Sequence, residues 1–246
     1  MKRVFNFSGG STSAYMTKQH YKAGDIVLFQ DTGREHPMTY EFINQFEIFE
    51  KIPITRIKYS DSDDPFGDLL KSKNFKVIPN RMKRICTVEL KINTAKRWLK
   101  RNGIKEYENF IGFRYDEKVR VLNRKQPSKK VHDRFPLYED KVTKNDIDAF
   151  WRDKSYRLSI PRILGNCVLC PLKGANAIMA ILREFPEFAE KYIWDEKQSE
   201  LLNGIGNGHT YLQGITIEKL RDIAQNTLFK EYSLESLKPQ FNCVCG

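Results

Sequence analysis

Short apolar runs and amphipathic stretches alternate along the first part of the chain. Val4-Phe5-Asn6-Phe7 reads as a short buried strand, and Ser8-Gly9-Gly10-Ser11-Thr12-Ser13 follows it at once. From Thr12 to about Tyr21 the spacing of apolar positions is helical. Asp25 to Gln30 is a second run of strand length, ending in Asp31-Thr32-Gly33. Pro37 suits the first turn of a helix, where its missing N–H costs nothing, and Tyr40, Phe42, Ile43, Phe46 and Phe49 give that helix an apolar stripe. Ile54 to Tyr59 alternates apolar and polar positions as a strand does. Strand, helix, strand, helix, strand predicts an α/β fold with a mostly parallel sheet flanked by helices.

Beyond Tyr59 the pattern weakens. The polar stretch from 60 to 85 predicts loops and short turns over the carboxyl edge of the sheet, where open α/β sheets place their ligands. Thr87 to Lys100 has helical spacing, with Leu90, Ala95, Trp98 and Leu99 inward, and Glu108 to Phe113 is a further strand candidate. Arg114 to Arg134 is basic and poor in apolar residues, which predicts a mobile loop. Lys144 to Trp151, Gly174 to Glu184, Glu187 to Leu201 and Ile217 to Asn226 read as helices. The division expected is an α/β domain over 1–165 and a helical, cysteine-bearing C-terminal region over 166–246.

Composition fits that picture: 246 residues, 40% hydrophobic and 30% charged, suit a globular core rather than disorder. The basic opening leads into no apolar run of signal-peptide length, and no stretch approaches the roughly 20 apolar residues a bilayer requires. A soluble, cytoplasmic protein without a membrane partner is expected. The formal charge of +11 attracts polyanions. It admits nucleotide phosphates and a nucleic acid such as tRNA or DNA as partners, and equally a solvated lysine-rich surface. The five cysteines include a C-x-x-C at Cys167 and Cys170, a single Cys86, and Cys243 and Cys245 near the last residue. An odd count in a chain of this kind points to metal or redox chemistry before a disulfide framework.

The glycine turn carries the strongest chemical signal. Gly9 and Gly10 allow backbone angles that side chains forbid, so successive N–H groups can face one anion. The helix that follows adds its positive end and its unpaired donors, and Ser8, Ser11, Thr12 and Ser13 add hydroxyls. The turn is not a Walker loop, since no G-x-x-x-x-G-K-[ST] occurs.

Ser8-Gly9-Gly10-Ser11-Thr12-Ser13 resembles the PP-loop of the PAPS reductase and ATP pyrophosphatase superfamily. Asp31-Thr32-Gly33 through Phe42 is similar to that family's D-T-G…P-E-T-Y-x-F stretch. Arg84-Ile85-Cys86-Thr87-Val88-Glu89-Leu90-Lys91 resembles its cysteine–lysine segment, and Gly112-Phe113-Arg114 through Arg120 its G-x-R-x-x-E-x-x-R loop. Phe135 to Ile147, Tyr156 to Ile160 and Gly165 to Cys170 follow in the family's order. The resemblance implies a HUP-like, PP-loop fold. It implies that Ser8, Gly9, Gly10, Ser11, Thr12 and Ser13 cradle the phosphates of ATP or of PAPS or APS, with Mg²⁺ as a companion ion. By the same resemblance Asp31, Thr32 and Gly33 sit by base and ribose, and Lys91, Arg114 and Arg120 neutralise phosphate or sulfate charge. Two positions differ from the family pattern. Ser11-Thr12 stand where aspartate or lysine-aspartate is usual, and the tail reads Asn242-Cys243-Val244-Cys245-Gly246 instead of E-C-G-L-H.

The C-x-x-C lies between Gly165-Asn166 and Pro171, a setting for a tight turn that aims both thiols at one point. Such a pair binds zinc or an iron–sulfur cluster. Related APS reductases, by resemblance, hold a [4Fe–4S] cluster on an adjacent cysteine pair plus a C-x-x-C. Here Cys86, Cys167, Cys170 and Cys243 would supply the ligands of a cluster or of zinc, and Cys245 would be the nucleophile. Three functions follow. One is ATP-driven activation with pyrophosphate release, coupled to sulfur transfer onto a nucleic acid and served by a sulfur or electron donor protein. The second is a sulfonucleotide reductase that releases sulfite. The third is a non-catalytic, zinc-stabilised nucleic-acid binding module.

Overall fold

The computed structural model describes residues 1–125, 128–226 and 234. Five parallel strands form one sheet in the order β3-β2-β1-β4-β5: β1 (Lys2–Asn6), β2 (Ile26–Asp31), β3 (Thr55–Lys58), β4 (Tyr107–Phe110) and β5 (Val131–Arg134). The chain moves outward from β1 to β3, then returns to the other side of β1 to lay down β4 and β5. The reversal leaves a crevice between the carboxyl ends of β1 and β4, the place where open α/β sheets take their ligands.

Alternation along the strands builds two cores. Phe5, Phe7, Val27, Phe29 and Phe110 face one side, where they pack with Ala14 and Met16 of α1 (Ser11–His20), Phe42, Ile43 and Phe46 of α2 (Pro37–Glu50), and Ile147 and Trp151 of the helix Lys144–Arg152. Val4, Leu28, Ile57, Tyr107 and Val131 face the other side with Leu99. The chain-order helices are completed by α3 (Pro65–Ser72), α4 (Thr94–Arg101), α5 (Lys118–Leu122), α6 (Pro136–Glu139), α7 (Lys144–Arg152), α8 (Ala175–Glu184), α9 (Glu190–Asn203) and α10 (Ile217–Asn226). A third core joins Phe66, Leu69 and Leu70 of α3 to Ile178, Ile181, Tyr192 and Leu220 of α8, α9 and α10.

Three segments differ from expectation. The polar stretch after β3 contains α3, because Asp64 caps it, Pro65 opens it and its apolar face finds the C-terminal helices. The basic stretch from 114 to 134 is not simply a loop. It holds a 3₁₀ turn (Tyr115–Glu117), α5 and the edge strand β5. Thr87–Asn93 is a π-helical turn that runs into α4, a rare form that recurs at functional sites. No described helix is long and apolar enough to cross a membrane.

The third core also buries charge. Arg34, 3% exposed, pairs with Asp64 through Nε and Nη2 at 2.8 Å each and with Asp195 at 3.0 Å, over the rings of Phe66 and Tyr192. Next to it, the Glu196 carboxylate accepts from the backbone N–H of Tyr211 (3.0 Å) and of Ile217 (2.7 Å), which closes the start of α10. Burial raises the Glu196 carboxyl from 4.5 to about 7. The folded chain therefore holds a proton that the unfolded chain has released between those values, so this group's contribution to stability is complete below about 4.5 and is lost as pH rises through 7. Unfolding free energies of wild type and Glu196→Gln, measured in urea across that range, should converge or cross as pH rises, by an amount on the order of 3 kcal/mol. A pH-independent difference would refute this assignment.

Candidate functional site

A cleft of about 440 Å³ lies at the reversal point. Its floor comes from the turn after β1 (Ser8, Gly10, Ser11, Thr12, Ser13) and from the stretch after β4 (Ile111 to Arg114). Glu117 and Arg120, then Lys144 and Asp148 of α7, form further wall. Arg162, Asn166, Cys170 and Lys173 close it from the C-terminal region.

The turn is held in shape by its own side chains. Ser13 Oγ accepts from the Ser8 amide and donates to the Gly10 carbonyl, both at 3.0 Å, so Ser8 Oγ donates to Ser13 Oγ at 3.0 Å. Ser13 therefore fixes the turn, and its one donor is committed within it. Trp151 of α7 donates from Nε1 to the Ser11 carbonyl at 2.9 Å, which ties the next helix to the same turn. Gly10 caps α1 without a side-chain acceptor. The amides of Gly10, Ser11 and Thr12 consequently have no partner among the described residues, and they sit at the positive end of α1. Gly9 does not line the cleft. It stands at φ +75°, where an added Cβ would lie 2.5 Å from Thr39 Cγ2, so the residue is glycine because α2 passes too close for anything larger.

Arg114 and Arg120 reach the cleft already paired. Arg114 binds Asp116 through Nε (2.9 Å) and Nη2 (3.0 Å) and Glu117 through Nη1 (3.2 Å). Arg120 pairs with Glu117 and lies 4.1 Å from the centre of the Phe113 ring. Lys144 pairs with Asp148. These pairs set the guanidinium and ammonium groups in place before any ligand arrives.

Asp31, Thr32 and Gly33 do not line this cleft. Asp31 Oδ1 accepts from the Gly33 amide (2.8 Å) and from the Tyr40 hydroxyl (2.7 Å), and Thr32 Oγ1 donates to Glu35 (2.8 Å). Gly33, at φ +73°, lies against Pro65 and the Asp63 carbonyl. The loop's outer edge meets the C-x-x-C turn: Glu35 bridges Cys167, and the Val168 amide donates to the Arg34 carbonyl at 2.9 Å.

Lys91 also stands apart from the cleft. It lines a small cavity of about 30 Å³ with Thr32, Arg84, Cys86, Cys167 and Cys170. All three thiols are free. Burial pushes the Cys86 thiol up and the Cys167 thiol to about 12, and the Lys91 ammonium pulls the other way on both. Among the described residues no three His, Cys, Asp or Glu side chains converge closely enough to hold a metal ion. Cys86, Cys167 and Cys170 share this one cavity and are the three described thiols that would hold zinc or a cluster, both of which bind cysteine as thiolate. Cys243 and Cys245 lie outside the described residues. Of the three thiols, Cys170 lines both the cavity and the cleft.

Sequence reasoning did not single out Lys144, Arg162, Lys173 or Trp151 for the site. Trp151 and Lys144 are ordinary helix residues in the sequence, and only the docking of α7 on α1 brings them to the turn. Lys173 had one available signal, its place just after Cys170-Pro171.

Fold and cleft together define a parallel α/β protein with an anion-receptive cleft at its topological switch point. Within that class the chain belongs to the phosphoadenosine phosphosulfate reductase domain family, whose model matches residues 2–157. The uncharacterized nin region protein ORF290 of Escherichia phage lambda is 30% identical over 207 residues, covering 72% of this chain and 68% of that protein. A crystal structure of phosphoadenylyl-sulfate (PAPS) reductase from Candida auris, in a phosphate complex, is similar at 16% identity and a TM-score of 0.44. The match covers 61% of this chain and 71% of that one.

Proposed function

We propose that the chain is an enzyme that binds an adenine nucleotide by its phosphates in the switch-point cleft. There it activates an acceptor with ATP, releasing pyrophosphate; the adenylated acceptor, a nucleic acid such as tRNA or DNA, is then attacked by sulfide-level sulfur from a donor protein, which forms the bond to sulfur as the acceptor–oxygen bond breaks and AMP departs. The observation that carries this reading is the set of open amides at Gly10, Ser11 and Thr12 facing a cleft that also contains Arg114, Arg120 and Lys144.

In this reading the amides and the end of α1 hold the phosphate chain. An acceptor oxygen attacks the α-phosphorus, a P–O bond to the acceptor forms, and the bond to the bridging oxygen breaks with departure of pyrophosphate. Negative charge gathers on the leaving oxygens, and fixed donors stabilise it without having to reorganise. Because Arg114 and Arg120 are held by Glu117, they enter the step already oriented. The basic balance of the chain, +11, suits a polyanionic acceptor.

A second reading, sulfonucleotide reduction, is favoured by the thiol of Cys170 in the cleft wall. One assay separates them. Purified protein is given ATP with tRNA or duplex DNA and assayed for pyrophosphate, and is given PAPS or APS with a dithiol reductant and assayed for sulfite. Pyrophosphate release that depends on the nucleic acid is the expected result. Sulfite release alone would replace it with the second reading, and silence in both arms would sink both.

A further inference from the structure

Lys173 ends the 3₁₀ turn that follows Cys170, and it is 3% exposed although it contributes to the cleft wall. Its ammonium donates to the Val168 carbonyl at 2.8 Å. Among the described residues no carboxylate lies within ion-pair distance of it. The other cations of the cleft differ in this respect: Arg114, Arg120 and Lys144 each have carboxylate partners, and Arg162 is exposed to solvent. Arg34 shows how this protein treats a cation that serves only structure, giving it two carboxylates and two aromatic rings.

Removing an ammonium from water without a counter-charge is strongly unfavourable, because the lost hydration is not replaced. If Lys173 only tethered the cysteine turn to the Val168 carbonyl, a neutral donor would do the same without that cost. A buried charge that is left uncompensated at the edge of a cleft is compensated by what enters the cleft.

We propose that Lys173 is an anion-binding residue, whose ammonium takes a tetrahedral oxyanion, a phosphate or sulfate group of the bound nucleotide, beside the thiol of Cys170. The identity of the carrier rests on the nucleotide reading above; the oxyanion site does not. It adds to the open amides of the turn after β1 a second anion ligand, supplied by a segment more than a hundred residues further along the chain. A ligand with charge at separated groups would bind both.

The test compares wild type with Lys173→Met, which keeps length but removes charge, and Lys173→Gln, which removes charge and keeps a donor. Calorimetry with ATP, adenosine 5′-phosphosulfate, inorganic pyrophosphate and sulfate reads affinity, and thermal melting without ligand reads stability. Both variants should bind at least one of these probes about 10- to 100-fold more weakly, the loss expected for a charge-assisted hydrogen bond. Their ligand-free melting temperatures should equal or exceed that of wild type, because an uncompensated charge has gone. Loss with ATP and pyrophosphate assigns the phosphate source; loss with adenosine 5′-phosphosulfate and sulfate alone assigns the sulfate source. If inorganic anions bind and nucleotides do not, the site stands and the nucleotide reading falls. Unchanged affinity for every probe in both variants overturns the inference, as does wild-type protein that binds none of them. A lower melting temperature with unchanged affinity would make Lys173 a tether.

Discussion

Arg34→Met is expected to destabilise the protein by about 3–5 kcal/mol, the usual result of removing one partner from a buried ion pair. The mechanism is specific. Asp195 is fully buried and Asp64 caps α3, and both would lose the guanidinium that neutralises them. The guanidinium also lies 4.9 Å from the centre of the Phe66 ring and 4.8 Å from that of Tyr192, so its removal opens the middle of the third core. Against a typical total of roughly 5–15 kcal/mol, such a loss brings the chain close to unfolding. Urea unfolding of Arg34→Met beside Arg34→Met/Asp64→Asn/Asp195→Asn checks the cause. The triple variant should recover much of the loss, because the stranded charges have gone with their partner. A single variant within about 1 kcal/mol of wild type would show that the network is incidental.

Gly9→Ala is expected to cost about 2–3 kcal/mol in stability and to weaken ATP binding by about tenfold or more, though Gly9 touches no part of the cleft. The backbone at φ +75° disfavours any side chain, and the new methyl would lie 2.5 Å from Thr39 Cγ2 and 3.3 Å from Ile43 Cδ1. Since α2 is packed on the sheet through Phe42, Ile43 and Phe46, the turn is the element that shifts, and with it the amides of Gly10, Ser11 and Thr12. The decisive comparison is Gly9→Ala/Thr39→Ala. Thr39 Oγ1 is buried without a hydrogen-bond partner, so trimming Thr39 removes the obstructing methyl and abandons no polar contact. The double variant should be less impaired than the sum of its parts, in melting temperature and in ATP affinity. Additive losses would mean that backbone strain alone explains the glycine.

The two predictions concern residues whose neighbours are distant in sequence, and that distance marks the limit of what the sequence disclosed. The strands β1, β2 and β3 and the helices α1 and α2 were legible because each is a local pattern: a strand shows its apolar run, and a helix its apolar spacing and its opening proline. Strand β5 was not, since Val131 is its one buried hydrophobic residue and its place in the sheet comes from pairing with β4. Helix α3 was hidden by the lysines and aspartates around it, and its Phe66, Leu69 and Leu70 gain meaning only from α8, α9 and α10 packed against them. The π-helical turn at Thr87–Asn93 has the same apolar spacing as an α-helix over so short a length, and the sequence carried nothing to distinguish them.

The candidate site divides in the same way. The turn from Ser8 to Ser13 was readable because glycine angles, a helix start and a preceding strand are all fixed by neighbouring residues. Its sequence did not tell that Ser13 would be spent on holding the turn, or that Gly9 answers to Thr39 on another helix. Family resemblance set Asp31, Thr32 and Gly33 by base and ribose and Lys91 by phosphate or sulfate; their actual neighbours, Arg34, Glu35, Tyr40 and the cysteine cavity, come from tertiary packing. The sequence alone determined the parallel α/β class, the family and the glycine turn that opens the first helix, because backbone preference and periodic burial act over a few residues. Which cations meet at that turn, and which buried cation has no carboxylate partner among the described residues, only the tertiary structure decided, because electrostatic pairing depends on distances in space that chain separation does not encode.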